Sequence, residues 1–311
     1  MGKTKSMHYQ AATVLGSATC FGRSKHADKR SGNNYHPHGI YSVKTLDNYV
    51  TMVSRYGKWC KETYGEKDLK ACARYAAAYL DHLKELGRSA CTIHTYKFAI
   101  QKFYDILHHG FKLEYETEKR TRARITKNRS SIEEVKDFDE KKHKFALDFG
   151  MATGLRRACL ENLRYSDIHY DAATDTYSVH VFNGKGGKKR EVRQIPRTYN
   201  AMFASLYAFS FSNNNIFYKS GKKEKIIGEK GKDINHILPD RFPEHRCRRI
   251  YANTLYRELA RDPADIKDPH EKYFCRKDLK GVIYDRVAML EVSKNLGHER
   301  VSVIATNYLK A

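Results

Sequence analysis

The sequence predicts a mainly α-helical protein with a small β-hairpin or sheet, built as an N-terminal helical domain followed by a larger α+β domain. Three observations lead there. Apolar residues recur at helical spacing in long stretches between Ser42 and Leu107. A glycine-rich turn, Asn183-Gly184-Lys185-Gly186-Gly187, is flanked by segments that alternate like strands. The chain has 311 residues, 41% of them hydrophobic, which is enough for about two cored domains.

Taken in order, residues 1–41 are rich in Gly, Ser, His, Lys and Arg with little periodicity, and read as a loosely ordered basic arm. Ser42 is a candidate N-cap for a helix striped with Val43, Leu46, Val50, Val53 and Cys60, broken at Tyr64-Gly65. A second stripe, Leu69, Cys72, Ala76, Tyr79, Leu80 and Leu83, stops at Gly87; a third, Ile93, Tyr96, Ile100, Phe103 and Leu107, stops near Gly110. Residues 42–116 thus form a helical domain and 117–131 a linker. Ser131 and Glu134 have capping-box spacing and open the second domain, 132–311. There, Phe145 to Ala152 runs apolar into Thr153-Gly154, and Arg157 to Leu163 reads as a short helix. Tyr177 to Phe182 and Arg190 to Ile195 read as the two arms of a hairpin. Thr198 to Ser210, Cys247 to Arg261, Asp278 to Leu296 and Val301 to Leu309 read as helices.

Charge narrows the function. Lys and Arg number 58 against 36 Asp and Glu, a net +22. Such an excess points to a polyanionic partner, nucleic acid before a membrane surface. No run of about 18 apolar residues exists, so no transmembrane helix is expected. The opening MGKTKSMHYQAATVLG lacks the apolar core of a signal peptide. Seven cysteines without a CxxC pair argue against a disulfide framework and a zinc finger, and fit a reducing cytoplasm. In the linker, the run 119–131 contains no acidic residue, and its Lys119, Arg120, Arg122, Arg124, Lys127 and Arg129 are candidate DNA-backbone contacts. The arm over residues 1–41 is either a plain tail or a further grip on DNA.

Four places carry residues suited to one reaction. These are Arg156 after the Gly154 turn, Lys185 at the hairpin tip, His245 and Arg248 in an HxxR at a helix start, and His298 followed by Tyr308. Each is weak alone, since basic residues and histidines are plentiful here. The hairpin is not a P-loop, because it lacks the GK[ST] ending. Together they fit phosphoryl transfer. Two guanidiniums can hold the non-bridging oxygens of a phosphodiester, a Lys can protonate a leaving alkoxide, a His can move a proton, and a Tyr hydroxyl can attack phosphorus. No carboxylate cluster accompanies them, so neither a metal nor another cofactor is implied.

The order of these residues resembles the tyrosine recombinase (phage integrase) family, over nearly the whole chain from Ser42 onward. TLDNYVTMVSRYGKWCKE and ACTIHTYKFAIQKFYDIL are similar to its helical core-binding domain. MATGLRRACLENLRYSDI, FNGKGGKKREVRQIP, HRCRRIYANTLYREL and VSKNLGHERVSVIATNYL are similar to the boxes of its α+β catalytic domain. The resemblance implies Arg156, Lys185, His245, Arg248 and His298 as catalytic residues and Tyr308 as the nucleophile. Three departures stand out. Cys159 occupies the place of a usual Glu, the stretch Asp262 to Tyr284 is long and charged, as an added surface element would be, and the His298–Tyr308 spacing is one residue longer than the commonest. The chain given has three residues after Tyr308, which argues against subunit exchange through a C-terminal tail.

The resemblance further implies a site-specific recombinase of a mobile element. It would cut and rejoin double-stranded DNA at specific sites through a 3′-phosphotyrosyl intermediate, without ATP or metal. It would act as a dimer on each site and a tetramer in the synapse, with an accessory DNA-bending or directionality factor as a further partner, in a prokaryotic cytoplasm and nucleoid. The competing readings are a type IB topoisomerase-like enzyme, a catalytically silent DNA-binding protein on the same scaffold, and a basic RNA-binding protein; the last lacks an RNP-type aromatic motif. The charge alone sets one test. Affinity for mixed-sequence duplex DNA, read by filter binding, is expected to fall about 100-fold or more between roughly 50 and 200 mM salt.

Overall fold

The computed structural model describes residues 5–31, 39–118, 138–182, 184, 189–219, 236–276, 279–298 and 300–309. The linker residues Lys119, Arg120, Arg122, Arg124, Lys127 and Arg129, the Ser131–Glu134 pair, and Lys185 with its turn neighbours Asn183, Gly186 and Gly187 lie outside these. The chain divides into two compact units, Met1–Arg124 and Ile125–Ala311. No helix among the described residues is long and apolar enough to cross a membrane.

The first unit is helical. Helix α1 (Met7–Gly16) and the short α2 (Lys25–Ser31) precede α3 (Val43–Tyr64), a 3₁₀ segment over Leu69–Tyr75, α4 (Ala76–Glu85) and α5 (Ala90–Leu107). Ser42 caps α3 by accepting from the Thr45 N–H, and Ser89 caps α5 by accepting from Thr92. Gly65 closes α3 at φ +72°, where a side chain would be strained. Two buried tyrosines pin the 3₁₀ segment from inside: the Tyr56 hydroxyl donates to the Cys72 carbonyl, and Tyr104 donates to Leu69 O at 2.8 Å.

The expected loose arm is corrected here over much of its length. Met7, Ala11 and Leu15 recur every four residues, and all three are buried in the core of this unit. Their seat is Gly57 of α3, where an added Cβ would lie 2.9 Å from Met7 Sδ and 2.8 Å from Leu69 Cδ1. Gln10 fastens the join, donating to Lys67 O at 3.0 Å and accepting from Leu69 N at 2.8 Å. Only one side of α1 is buried, at three positions four residues apart, so the basic composition of the segment hid the pattern.

The second unit wraps helices around small sheets. Helices α6 (Lys144–Thr153) and α7 (Arg157–Leu160) lead into an antiparallel sheet of β1 (Ile168–Asp171), β2 (Thr176–Val181) and β3 (Arg190–Arg193), in that order. Alternate residues Tyr177, Val179 and Val181 of β2 are buried, with Val179 opposite both Ile168 and Val192. Then come α8 (Asn200–Tyr207), a parallel pair of β4 (Phe217–Lys219) and β5 (His236–Leu238), and α9 (Glu244–Leu259). The end of the unit holds a hairpin of β6 (Lys272–Phe274) and β7 (Ile283–Asp285), α10 (Arg286–Asn295) and α11 (Val301–Asn307). Gly150 lets α6 approach α9: an added Cβ would sit 2.6 Å from Phe242 and 3.1 Å from Cys247 Sγ.

The charged stretch after α9 contains the β6–β7 hairpin, and the helix expected from Asp278 begins only at Arg286. Gly281, at φ +98°, turns the chain between β6 and β7, and Tyr284 faces the core. Asp285 joins three elements. It caps α10 by accepting from Val287 N (2.9 Å) and Ala288 N (3.3 Å), and it accepts a bidentate pair from Arg261 (2.8 and 3.1 Å) just past α9. Those donors hold its carboxyl at about 2, with Arg261 the largest cause. A carboxylate with a depressed pKa stabilises the fold above its unfolded value, near 3.9, and that stability is lost as pH falls toward about 2. Asp285→Asn is expected to cost about 2–4 kcal/mol in urea unfolding at neutral pH, and to flatten the wild-type loss of stability between about pH 4 and 2.

Candidate active site

The site is built around Arg248, on α9, which has no exposed surface. Burying a guanidinium is costly unless its donors are satisfied. Here backbone carbonyls satisfy them: Nη1 donates to Gly154 O at 2.6 Å and Nη2 to Leu296 O at 2.9 Å. Gly154 terminates α6 at φ +58° and lies against the Tyr251 ring, where a Cβ would come within 2.7 Å. Leu296 belongs to the turn after α10, in which Gly297, at φ +68°, allows His298 N to donate back to Ser293 O at 2.8 Å. Arg248 thus ties the α6–α7 loop to the α10–α11 turn.

Tyr308 comes to the same point. It stands just past α11, at φ −121°. Asn253 of α9 donates to its carbonyl at 2.8 Å, and the residue is 4% exposed. Its hydroxyl oxygen lies 3.4 Å from Arg248 Nε and 3.2 Å from His298 Nε2. Arg248 Nη2 is also 3.3 Å from His298 Nε2. Because guanidinium only donates, this arrangement assigns the lone pair to Nε2 and lets the tyrosine hydroxyl donate to it.

Arg156 is the residue that precedes α7, in extended backbone conformation just after the Gly154 turn. Glu244 of α9 holds this loop by accepting from Arg157 N at 2.8 Å. Burial, and then the neighbouring Arg248 charge, disfavours the charged form of Arg156, with Tyr308 acting in the opposite sense. Its Nη1 is buried with no hydrogen-bond partner among the described residues. His245 stands one turn before Arg248 on α9, half-buried. The structure therefore gathers Arg156, Arg248, His298 and Tyr308, with His245 one turn before Arg248 on the same helix, while Lys185 lies outside the described residues.

Three contributors were not legible in the sequence. Arg190 opens β3 and donates from Nε to Asn295 O at 3.0 Å. Asn295 Oδ1 accepts from Arg193 N at 2.9 Å and lies 3.0 Å from the Tyr251 hydroxyl. Tyr251 in turn donates to Arg193 O at 2.8 Å. These bonds lock β3 to the turn that carries His298. Arg190 is one of four basic residues in KKREVR, and Asn295 and Tyr251 belong to no charged or glycine-rich pattern, so no local signal marks them.

No protein-family model and no curated protein matches the chain. Solved structures of recombinases and of a transposon integrase align with nearly the whole chain. XerH site-specific recombinase bound to a palindromic difH substrate is 13% identical, with 97% of this chain and 85% of that chain covered and a TM-score of 0.49. The Tn1549 transposon integrase in complex with circular intermediate DNA is 14% identical, covering 97% of this chain and 95% of that chain, with a TM-score of 0.42. XerA recombinase is 13% identical over 97% and 94%, with a TM-score of 0.29. At this identity and these scores the likeness assigns no activity, and the functional reading rests on the residues.

The carbonyl partners of Arg248 set a test. Arg248→Ala leaves Gly154 O and Leu296 O unpaired in the core and is expected to cost about 3–5 kcal/mol in urea unfolding. Tyr308→Phe removes only a hydroxyl and is expected to cost about 1 kcal/mol in the same measurement.

Proposed function

We propose that the protein is a tyrosine-type site-specific DNA recombinase. The observation that carries this reading is the convergence of Arg248 and His298 on the Tyr308 hydroxyl, with the partly unsatisfied guanidinium of Arg156 beside them. The box motifs and the +22 charge support the same reading.

In this mechanism the Tyr308 oxygen attacks the scissile phosphorus and forms a 3′-phosphotyrosyl bond, while the bond to the 5′ oxygen breaks. The phenolic proton passes to His298 Nε2, the acceptor that the site provides at 3.2 Å. Arg248 stabilises charge developing on the tyrosine oxygen, and Arg156 donates to a non-bridging phosphate oxygen. Lys185 supplies the proton to the departing 5′ oxygen, and His245 assists proton transfer at the phosphate. A 5′-hydroxyl from a partner duplex then attacks the phosphotyrosine, displacing Tyr308 and completing strand exchange. The covalent bond conserves the energy of the phosphodiester, so the exchange needs neither ATP nor metal. Two protomers per site and four in the synapse complete the proposal, with a mobile element as its genetic setting.

The test is covalent trapping. Nicked duplexes drawn from the gene's own genomic surroundings are mixed with the full chain in EDTA without ATP and run on denaturing gels. A protein–DNA adduct that disappears in Tyr308→Phe is the expected result. An adduct that survives that substitution removes Tyr308 as the nucleophile, and no adduct from any fragment that the protein binds rejects strand cleavage.

A further inference from the structure

One helix holds Tyr308 at both of its ends. The Tyr308 hydroxyl lies 3.4 Å from Arg248 Nε, and its carbonyl accepts from Asn253 Nδ2 at 2.8 Å. Both partners stand on α9, five residues and so roughly 7.5 Å of helix rise apart. The hydroxyl contact belongs to the chemistry proposed above. The carbonyl contact does not, and the mechanism leaves it unused.

The backbone at this point needs an anchor. Helix α11 has seven residues, about two turns, too short to hold its shape without packing. Tyr308 has already left it (φ −121°, ψ −48°), and Tyr308 N and Leu309 N both donate to Ile304 O, at 3.0 and 3.1 Å. The helical ladder thus ends on Ile304. The carbonyl of the buried Tyr308 must find its donor elsewhere. Asn253 supplies that donor. Its Nδ2 carries two hydrogens and meets two carbonyls at 2.8 Å each, Arg249 O one turn back on α9 and Tyr308 O. Carbonyls only accept, so both contacts require the amide nitrogen, not its oxygen, to face them. The bond to Arg249 sets the side chain on α9, and the bond to Tyr308 carries that setting across to the chain beyond α11.

We propose that Asn253 is a positioning residue for the nucleophile. It anchors the main chain of Tyr308, so that the hydroxyl stands within reach of Arg248 and His298 before DNA arrives. The consequence for cleavage rests on the recombinase reading; the anchoring rests on the two carbonyl bonds. A reacting group misplaced by about 1 Å loses on the order of 100-fold in rate. A backbone anchor therefore governs rate through alignment and leaves DNA affinity alone.

Two measurements on the full chain test it. In the first, a fluorotyrosine replaces Tyr308 and its fluorine NMR resonance is followed without DNA. With Asn253 in place, a soluble paramagnetic agent is expected to leave the resonance sharp. In Asn253→Ala and Asn253→Asp the resonance is expected to move toward its position in the urea-unfolded chain and to broaden with the agent. A resonance that stays put and protected in both variants overturns the proposal. In the second, single-turnover adduct formation on the nicked duplex that wild type cuts is compared with filter binding of the same duplex. Asn253→Ala is expected to slow adduct formation about 10-fold, and Asn253→Asp, whose carboxylate repels both carbonyls, about 100-fold, with binding changed less than about twofold. Asn253→Ser separates the two bonds, because its hydroxyl reaches Arg249 O one turn back but not Tyr308 O. It is expected to be as slow as Asn253→Ala. A wild-type rate in Asn253→Ser would mean that the residue serves α9 alone, which overturns the proposal, as does a loss of rate matched by an equal loss of binding. Where Asn253→Ala or Asn253→Asp fails to fold, Asn253→Ser carries both arms with the same expectation. If wild type forms no Tyr308 adduct yet the fluorine signal responds as described, the recombinase reading fails and the anchor stands. If the adduct forms and neither signal nor rate responds, the anchor fails and the recombinase reading stands.

Discussion

A guanidinium with no exposed surface sets the terms for the second unit. Arg248 cannot be satisfied by solvent and bonds no carboxylate among the described residues, so the fold must deliver carbonyl oxygens from two distant loops. That requirement dictates where α6 ends and where the turn after α10 lies. It also explains why glycines stand at those points. Gly154 and Gly297 both take left-handed backbone conformations, and both are crowded by side chains at the positions where a Cβ would be. Structure and chemistry are inseparable here, because the residue that organises the loops also touches the hydroxyl proposed as the nucleophile.

Around that centre the unit is a set of ties on one short turn. β3 reaches it through Arg190 and Arg193, α9 through Tyr251 and Arg248, and α10 leads directly into it. The far end of α10 is fixed by Asp285, which is itself fixed by Arg261 after α9. Helix α10 is thus held at both ends, and the position of His298 depends on residues some distance along the chain from it. A polar group at each join, rather than a larger apolar core, sets the register.

Much of this was legible in the sequence, for identifiable reasons. The cap Ser42, the helix stop at Gly65 and the β2–β3 hairpin follow from local rules that act over a few residues. Arg156, Arg248, His298 and Tyr308 were legible because their order and neighbours matched a known pattern, and the structure brings those four together. What escaped depends on contacts between distant segments. Met7, Ala11 and Leu15 look unremarkable until Gly57 offers them a groove. The β6–β7 hairpin replaced part of an expected helix because Asp285 is a better cap than a helix interior residue. Arg190 is one basic residue among 58, and only the carbonyl of Asn295, far along the chain, singles it out.

The packing of α1 has a practical side for anyone handling the first unit alone. A fragment cut at Ser42, where the helical stripes begin, would strip the roof from Gly57 and Leu69 and leave an apolar trough open to water. Such a fragment would tend to self-associate, and any affinity measured on it would mix DNA binding with aggregation. A purification tag belongs ahead of Met7, separated from it by a spacer, so that Ser6 remains free to cap the helix.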